Sequence, residues 1–187
     1  MSTRRRLSTA QRRAAILAAA REHFSTTHYP DASVPAIAAA SGSSQSLVFH
    51  YFSSKAGLYA AVVEDSLRSL IDAPLPHAAT TRDRVSLLLQ DYLDALAADH
   101  TLVAGVGEPE AAVIHRRAAA SALVDKLREI TGIGSFARHT WALRGWVGFL
   151  EAAGRHWVDA GCPEEQRWPL IEAGLGALEG ALGDWRV

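Results

Sequence analysis

A short segment at residues 41–55, SGSSQSLVFHYFSSK, concentrates side chains that are suited to contacting nucleic acid. Gln45 can form paired hydrogen bonds with adenine, Ser46 can reach a base edge, and Leu47 can contact the methyl group of thymine. With His taken as neutral, the middle of the segment carries no charge. These residue types therefore predict recognition of base edges, with attraction to phosphates supplied by residues on either side.

The flanking residues are suited to binding the sugar-phosphate backbone. Ser33 and Ser44 are predicted N-caps, and the free N–H groups and dipole of a helix N-terminus favour phosphate oxygens. His50, Tyr51 and Lys55 carry groups that can donate hydrogen bonds to phosphate. We therefore expect these five residues to hold the base-reading side chains against the double helix.

Two short helices joined by a tight turn must position these side chains. The first is predicted from Ser33 to about Ala40 and ends at Gly42, a residue that is free to adopt positive φ. The second is predicted from Gln45 to about Phe52. This arrangement is a helix-turn-helix, whose second helix places its N-terminal end in the major groove of DNA.

A third helix is needed to complete the core of this unit. Capping-box spacing begins at Ser8, in STAQ, and Ile16 and Phe24 follow on one face of the predicted helix. Ile37 and Val48 are predicted to fill the angle between the two short helices. The N-terminal region is thus predicted to be a compact helical unit with its own core.

The charges are divided unequally along the chain. The net charge of the 187 residues is −1, but residues 1–59 contain seven Lys or Arg and two Asp or Glu, whereas the remainder contains twelve and eighteen. A basic N-terminal region on an acidic body favours a polyanionic partner for the N-terminal region alone. Arg4, Arg5 and Arg6 are interpreted either as an arm that reaches along DNA or as a solvated tail.

The remainder of the chain is predicted to be helical, because it lacks long alternating runs of β-branched residues and the Asn-Gly or Asp-Gly turns of hairpins. The predicted fold class is therefore all-α. Turn-forming residues separate the helices near residues 73–81, 100–110, 131–135 and 161–163. We expect a helix-turn-helix DNA-binding domain with a basic arm over residues 1–57 and a second helical domain over residues 58–187, for which the resemblance described below implies effector binding and dimerisation.

The last two predicted helices are apolar on two faces. In the final helix, one seam consists of Trp168, Ile171, Leu175, Leu178, Leu182 and Trp185. A helix that is apolar on two faces is buried on both, so the second face predicts a four-helix interface in a homodimer. Burial of both faces within one subunit is the alternative. The candidate interface residues are Trp157, Leu170, Ala173, Gly174, Ala177 and Ala181.

Residues 13–63 resemble the DNA-binding domain of the TetR family of bacterial transcriptional repressors. The resemblance rests on ILAAAREHF, SVPAIAAASGSS and HYFSSKAGLY, and above all on the spacing of Gly42, Tyr51, Phe52, Lys55 and Leu58. It implies a homodimer, a double-stranded DNA operator with two-fold symmetry and an all-α effector-binding body.

The same resemblance implies a set of DNA contacts at Gln45, Ser46, Leu47, Phe49, His50, Tyr51 and Lys55. The sequence departs from the family pattern at two of these positions. The family usually has Tyr in place of Phe49 and Gly or Ala in place of Ser46, so the operator sequence does not carry over.

We expect a small-molecule effector to bind among the helices of the body and to release the repressor from its palindromic operator. The candidate lining residues are Tyr92, His115, Phe136, His139, Trp141 and Trp146. A mostly apolar pocket favours a lipophilic or aromatic effector. The predicted helix over residues 54–71 joins both parts of the chain and is the expected lever.

The sequence contains none of the catalytic or metal-binding motifs that we considered. His-Glu-x-x-His, Cys-x-x-Cys, Glu-x-x-His and Gly-x-Ser-x-Gly patterns are absent, so we expect neither catalysis nor a metal or other cofactor. One alternative is a metal-dependent enzyme that uses Asp91, Asp94 and His100. Another is a small-molecule carrier whose N-terminal helices bind a protein.

Neither export nor membrane insertion is expected. The basic N-terminus lacks the apolar stretch of a secretory signal, and no apolar run reaches the length of a membrane span. The single cysteine, Cys162, can form no disulfide within the chain and has no basic neighbour close in sequence. We therefore expect a cytoplasmic protein in which Cys162 is unreactive, with a reactive thiol sensor as the alternative.

Overall fold

The computed structural model describes residues 7–183, and within that range every regular element is a helix. Short 3₁₀ helices occur at Tyr29–Asp31 and His100–Leu102. The predicted all-α class is confirmed, whereas Arg4, Arg5, Arg6 and Trp185 lie outside the described residues. The α-helices are α1 (Thr9–Thr26), α2 (Val34–Ala40), α3 (Gln45–Phe52), α4 (Lys55–Asp72), α5 (Thr81–Ala98), α6 (Glu110–Thr131), α7 (Ala137–Asp159) and α8 (Glu164–Leu182).

Serine residues begin the first four α-helices. Ser8, Ser33, Ser44 and Ser54 each accept a hydrogen bond from the backbone N–H three residues later. Ser8 forms a complete capping box, because its own N–H donates to Gln11 Oε1 at 2.9 Å. These bonds satisfy donors that a helix N-terminus leaves free, so the local sequence determines where each helix begins.

The N-terminal core is shared by α1, α2, α3 and the first half of α4. Ile16, Ile37, Val48 and Leu58 are fully buried in it, one from each helix. A Cβ atom at Gly57 would lie 2.2 Å from the carbonyl oxygen of Phe52, so only glycine fits where α4 follows α3. The helix-turn-helix is therefore held rigidly on α1 and α4.

The second core is formed by α5, α6, α7 and α8. Trp146 of α7 is buried, and its indole N–H donates to the carbonyl oxygen of Gly174 in α8 at 2.7 Å. A Cβ atom at Gly154 would lie 2.8 Å from both Leu96 Cδ1 and Tyr92 Oη, so α7 approaches α5 closely at this glycine. Tight packing of this kind makes the body a rigid frame around its remaining space.

The segment between α5 and α6, residues 99–109, forms contacts that connect the two cores. Asp99 accepts hydrogen bonds from Ser66 Oγ of α4 at 2.6 Å and from the Thr101 N–H at 3.0 Å. Arg21 of α1 lies 3.5 Å from Asp99 and pairs with Asp65 of α4. The N-terminal helices therefore contact the body through this segment as well as through α4.

None of the helices in residues 7–183 combines the length and the hydropathy that crossing a bilayer requires.

Candidate DNA-binding surface and effector cavity

The outer face of α3 carries the polar residues of the helix-turn-helix. Gln45, Ser46 and His50 are exposed, whereas Val48 and Phe52 are buried against the N-terminal core. Leu47, Phe49 and Tyr51, which border this exposed face, are half-buried. The helix thus presents its first turn to solvent, in the orientation that a recognition helix needs.

The turn before α3 is fixed by backbone hydrogen bonds and by α1. Gly42 has φ of +60°, and the Ser43 N–H donates to the carbonyl oxygen of Ala38 at 2.8 Å. Arg12 Nη1 donates to the carbonyl oxygen of Gly42 at 3.2 Å. Ser44 and Ser46 share a hydrogen bond of 2.9 Å between their hydroxyl groups, so the Ser46 side chain is turned toward the helix cap.

Lys55 is directed at the protein rather than into solvent. Its Nζ donates to the carbonyl oxygen of Pro30 at 2.9 Å and lies 4.9 Å from the centre of the Tyr29 ring. A phosphate contact at this position therefore requires the ammonium group to leave Pro30. Arg13, which lies 5.0 Å from the Phe52 ring centre, is an exposed cation beside α3 that the sequence motifs did not single out.

A cavity with a volume of about 550 Å³ lies between α4, α5, α6, α7 and residues 102–108. Tyr92 of α5 contributes to its wall, and burial raises the pKa of this phenol. The aliphatic lining consists of Leu67, Leu70, Ile71, Leu102, Val103, Val113, Leu123, Val147 and Leu150. Its size and apolar character suit a small organic ligand.

A buried ion pair closes the cavity on the side of the N-terminal core. Arg116 Nε lies 2.8 and 2.9 Å from the two carboxylate oxygens of Glu108, and the two side chains are 12% and 5% exposed. The remaining Arg116 nitrogens donate to the carbonyl oxygens of Thr101, Leu102 and Val103 at 2.7–2.9 Å. These hydrogen bonds from Arg116 stabilise the conformation of the segment between α5 and α6.

Exposed charged residues line the opening of the cavity. Arg117 of α6 and Glu151 and Arg155 of α7 line it and are exposed. Partial burial raises the pKa of Glu151, and this effect is opposed by the charges of Arg116 and Arg155. The opening is therefore bordered by two guanidinium groups and one carboxyl group.

Comparison with known proteins assigns the N-terminal unit. Residues 16–62 match the family model described as bacterial regulatory proteins of the tetR family. The N-terminal unit is therefore similar to the DNA-binding domain of TetR-family regulators. No curated protein sequence matches the chain.

Solved structures of regulators from several organisms share the fold of this chain. A regulator from Streptomyces coelicolor is 20% identical, with a TM-score of 0.75 over 94% of this chain and 80% of the other. The fatty acid degradation regulator FadR from Bacillus halodurans is 19% identical, with a TM-score of 0.70 over 91% and 97%. FadR from Bacillus subtilis, in complex with stearoyl-CoA, is 17% identical, with a TM-score of 0.65 over 91% and 97%.

Of the six side chains predicted to line an effector pocket, the structure places only Tyr92 in this cavity. Phe136 and Trp141 are each 74% exposed on α7 or at its start, and Trp146 is buried in the second core. His115 and His139 are half-buried outside the cavity lining. The cavity instead uses aliphatic residues and the Glu108–Arg116 pair, which no local sequence signal distinguishes from surface charges.

The predicted dimer residues fall into two groups. Trp157 and Gly174 are buried in the subunit's own core, and a Cβ atom at Gly174 would lie 3.1 Å from Leu89 Cδ1. Neither of these two residues lies on the surface of the single chain. Ala173 and Ala177 are exposed on α8, and Leu170 and Ala181 are half-buried. Trp168, which the sequence placed in the buried seam, is 58% exposed.

Two of the residues considered for metal chemistry, Asp94 and His100, have other neighbours. Asp94 forms an ion pair with Arg167, with Oδ1 and Nη2 2.6 Å apart. Throughout residues 7–183, no three His, Cys, Asp or Glu side chains converge as a metal site would require. Cys162 Sγ lies 4.0 Å from His100 Nε2, and burial raises the pKa of its thiol, so the thiol form is favoured at neutral pH.

Proposed function

We propose that this chain is a ligand-responsive TetR-family repressor that binds a palindromic DNA operator in the cytoplasm and is released by a small lipophilic effector. The observation that carries the proposal is the position of Glu108. Its carboxylate lies in the wall of the 550 Å³ cavity and accepts a hydrogen bond from Tyr59, a residue of the N-terminal core. A ligand in the cavity therefore lies one hydrogen-bonded contact away from the helices that carry α3.

On the DNA side, the exposed first turn of α3 supports base recognition by Gln45, Ser46 and Leu47. Ser33 and Ser44 cap the N-termini of α2 and α3, and His50, Tyr51 and Lys55 follow Ser44 in sequence. Phe49 is half-buried and offers a ring edge rather than the hydroxyl group usual in the family. We propose these nine residues as the DNA-contacting set.

A homodimer is proposed to pair two recognition helices. The exposed face of α7 and α8 is rich in small residues, among them Gly145, Gly148, Ala173 and Ala177, which allow close approach of a second helix pair. Two-fold symmetry would place the two α3 helices about 34–36 Å apart, one turn of DNA. Trp141 and Trp168, both largely exposed in the single chain, would be covered at the edges of such an interface.

The release step follows from the linkage between cavity and N-terminal core. A ligand shifts the equilibrium between DNA-binding and released forms only by the difference in its affinity for the two. Residues 99–109 contact α1 and α4 on one side and the cavity on the other. Movement of this segment would change the angle of the N-terminal helices relative to α7 and α8, and so the separation of the recognition helices.

The test is selection from fragmented genomic DNA of the organism that encodes the chain. Purified protein should retain a small set of fragments that share an inverted repeat, with affinity that falls steeply as salt concentration rises. Retention of no fragment in dilute buffer, or equal retention of every fragment, would exclude an operator-specific regulator.

A further inference from the structure

We infer that the effector is an elongated amphipathic anion, with an apolar chain inside the cavity and one terminal carboxylate or phosphate group held by Arg117 and Arg155. This inference rests on the proposed function, because it assumes that the cavity is the effector site. It adds the chemical class of the ligand and the residues that select it.

The apolar space is longer than the main cavity. A recess of about 50 Å³ adjoins it beneath the α4–α5 connection, where Pro74, Leu75 and Pro76 form the outer wall. Leu70, Ile71, Tyr92, Leu123 and Leu150 line both spaces. Lys126 Nζ donates to the carbonyl oxygen of Ala73 and so holds this connection over the recess. The recess extends the apolar space beyond the main cavity, where an apolar chain can enter it.

The charges at the closed end are not available to a ligand. Arg116 uses Nε on Glu108 and Nη1 and Nη2 on three backbone carbonyl oxygens, and Glu108 accepts from Gly105 and Tyr59 as well. Separating this pair would leave a buried charge without a partner, which is strongly unfavourable. An apolar chain end is therefore the part of the ligand that belongs beside it.

The opening has an excess of positive charge. Arg117 and Arg155 are exposed there, and within residues 7–183 neither lies within the 4.0 Å of a carboxylate oxygen that defines an ion pair. Glu151 is the acidic residue beside them, and its raised pKa means that it holds its proton to a higher pH than a free glutamate does. Guanidinium groups bind carboxylate and phosphate through charge-assisted hydrogen bonds, so an anionic end group is favoured at this position.

Isothermal titration calorimetry with four ligands of equal chain length tests the inference without DNA. Decanoate and decyl phosphate, kept below their micellar concentrations, should bind at least about tenfold more tightly than decanol, and decylamine should bind most weakly. The ratio between decanoate and decyl phosphate identifies which anionic group the opening prefers. Equal affinity for decanoate and decanol, preference for decylamine, or binding of none of the four would overturn the inference.

Variants separate charge recognition from loss of folding. Arg117→Gln with Arg155→Gln should weaken decanoate binding about tenfold or more and leave decanol binding unchanged, since both residues are exposed. Arg138→Gln, an exposed arginine at the start of α7 outside the cavity, is the matched control and should change neither affinity. If the double variant weakens the binding of decanoate and decanol equally, these arginines do not recognise the anionic group.

Different results would contradict the ligand-controlled repression and the anionic class of the ligand. Selective binding of decanoate with no change in the affinity of the chain for its DNA fragments would uphold the ligand class and contradict ligand-controlled repression. Release from DNA by decanol as readily as by decanoate would uphold ligand control and contradict the anionic class.

Discussion

The phenol of Tyr59 donates a hydrogen bond to Glu108 Oε2 at 3.4 Å, across the boundary between the N-terminal core and the cavity. Tyr59 packs edge-on against Phe24 of α1, with ring centres 4.9 Å apart. Burial raises the pKa of the Tyr59 phenol, with a smaller contribution from the charge of Glu108, so the phenol keeps its proton and donates to the carboxylate. A change at Glu108 therefore acts directly on a residue that supports the DNA-binding helices.

Replacing Tyr59 with Phe should lower the free energy of unfolding by about 1 kcal/mol, because it removes one partly buried hydrogen bond and keeps the ring. Urea denaturation followed by circular dichroism measures this change. Tyr29→Phe is the matched control, since Tyr29 lies 5.1 Å from Tyr59 in the same core and its ring remains. Equal losses in the two variants would show that the contact with Glu108 stabilises nothing.

Glu108→Gln should destabilise the chain by roughly 3 kcal/mol or more, because it leaves the buried Arg116 guanidinium without a counter-charge. The effect should far exceed that of Glu64→Gln, which breaks the exposed ion pair with Arg68 and should cost about 0.5 kcal/mol. Thermal and urea unfolding of both variants provide the comparison. A loss below 1 kcal/mol for Glu108→Gln would mean that Arg116 is adequately neutralised by the surrounding carbonyl oxygens.

Gln45→Ala should weaken binding to the selected operator by about 1–3 kcal/mol if Gln45 makes a bidentate contact with a base, and should leave binding to random duplex nearly unchanged. Fluorescence anisotropy at two salt concentrations measures both affinities. Arg13→Ala, an exposed cation beside α3, should instead weaken both duplexes alike and reduce the salt dependence. Equal losses on both duplexes for Gln45→Ala would assign it to the phosphate backbone.

The helix caps and the turn of the DNA-binding unit could be predicted from the sequence because each depends on neighbouring residues. Ser8, Ser33 and Ser44 cap helices where the sequence predicts, since a cap bonds to an N–H only three residues away. Gly42 has the positive φ expected of it.

The residues that line the cavity could not be predicted in the same way, because they come from four helices and a connecting segment. Trp141 and Trp146 lie five residues apart in α7, yet the first is 74% exposed and the second 3% exposed. Helical spacing shows that they point in different directions but does not reveal which direction faces the body, since both faces carry large apolar residues. Glu108 and Arg116 meet only because the connection between α5 and α6 folds back, which depends on long-range packing.

Gly57→Ala should destabilise the N-terminal core by roughly 1–3 kcal/mol, because the new methyl group would lie 2.2 Å from the backbone carbonyl oxygen of Phe52 and force α3 and α4 apart. Operator affinity should fall with it, since α3 loses its support. Gly105→Ala is the matched control, because its Cβ atom would lie at an ordinary contact distance of 3.5 Å from Tyr59 Oη. An unaffected Gly57→Ala variant would show that the start of α4 is free to shift.

Ala177→Glu should separate the proposed dimer without unfolding the subunit. Ala177 is exposed on α8 in the single chain, so a carboxylate there is solvated in a monomer but would be buried, opposite its symmetry mate, in an interface formed by α7 and α8. Light scattering after size exclusion should show a dimer for the unmodified chain and a monomer for the variant, with similar helical content. Operator affinity should fall by at least about 100-fold, because a monomer holds only one half-site.

Ala118→Glu provides the control for added charge, since Ala118 is equally exposed but lies on α6, away from the proposed interface. It should remain dimeric and keep its operator affinity. Loss of the dimer in both variants would indicate a general effect of charge on association. A dimer that persists in Ala177→Glu would place the interface elsewhere, and the spacing of the two α3 helices would then have to be derived from a different pairing of subunits.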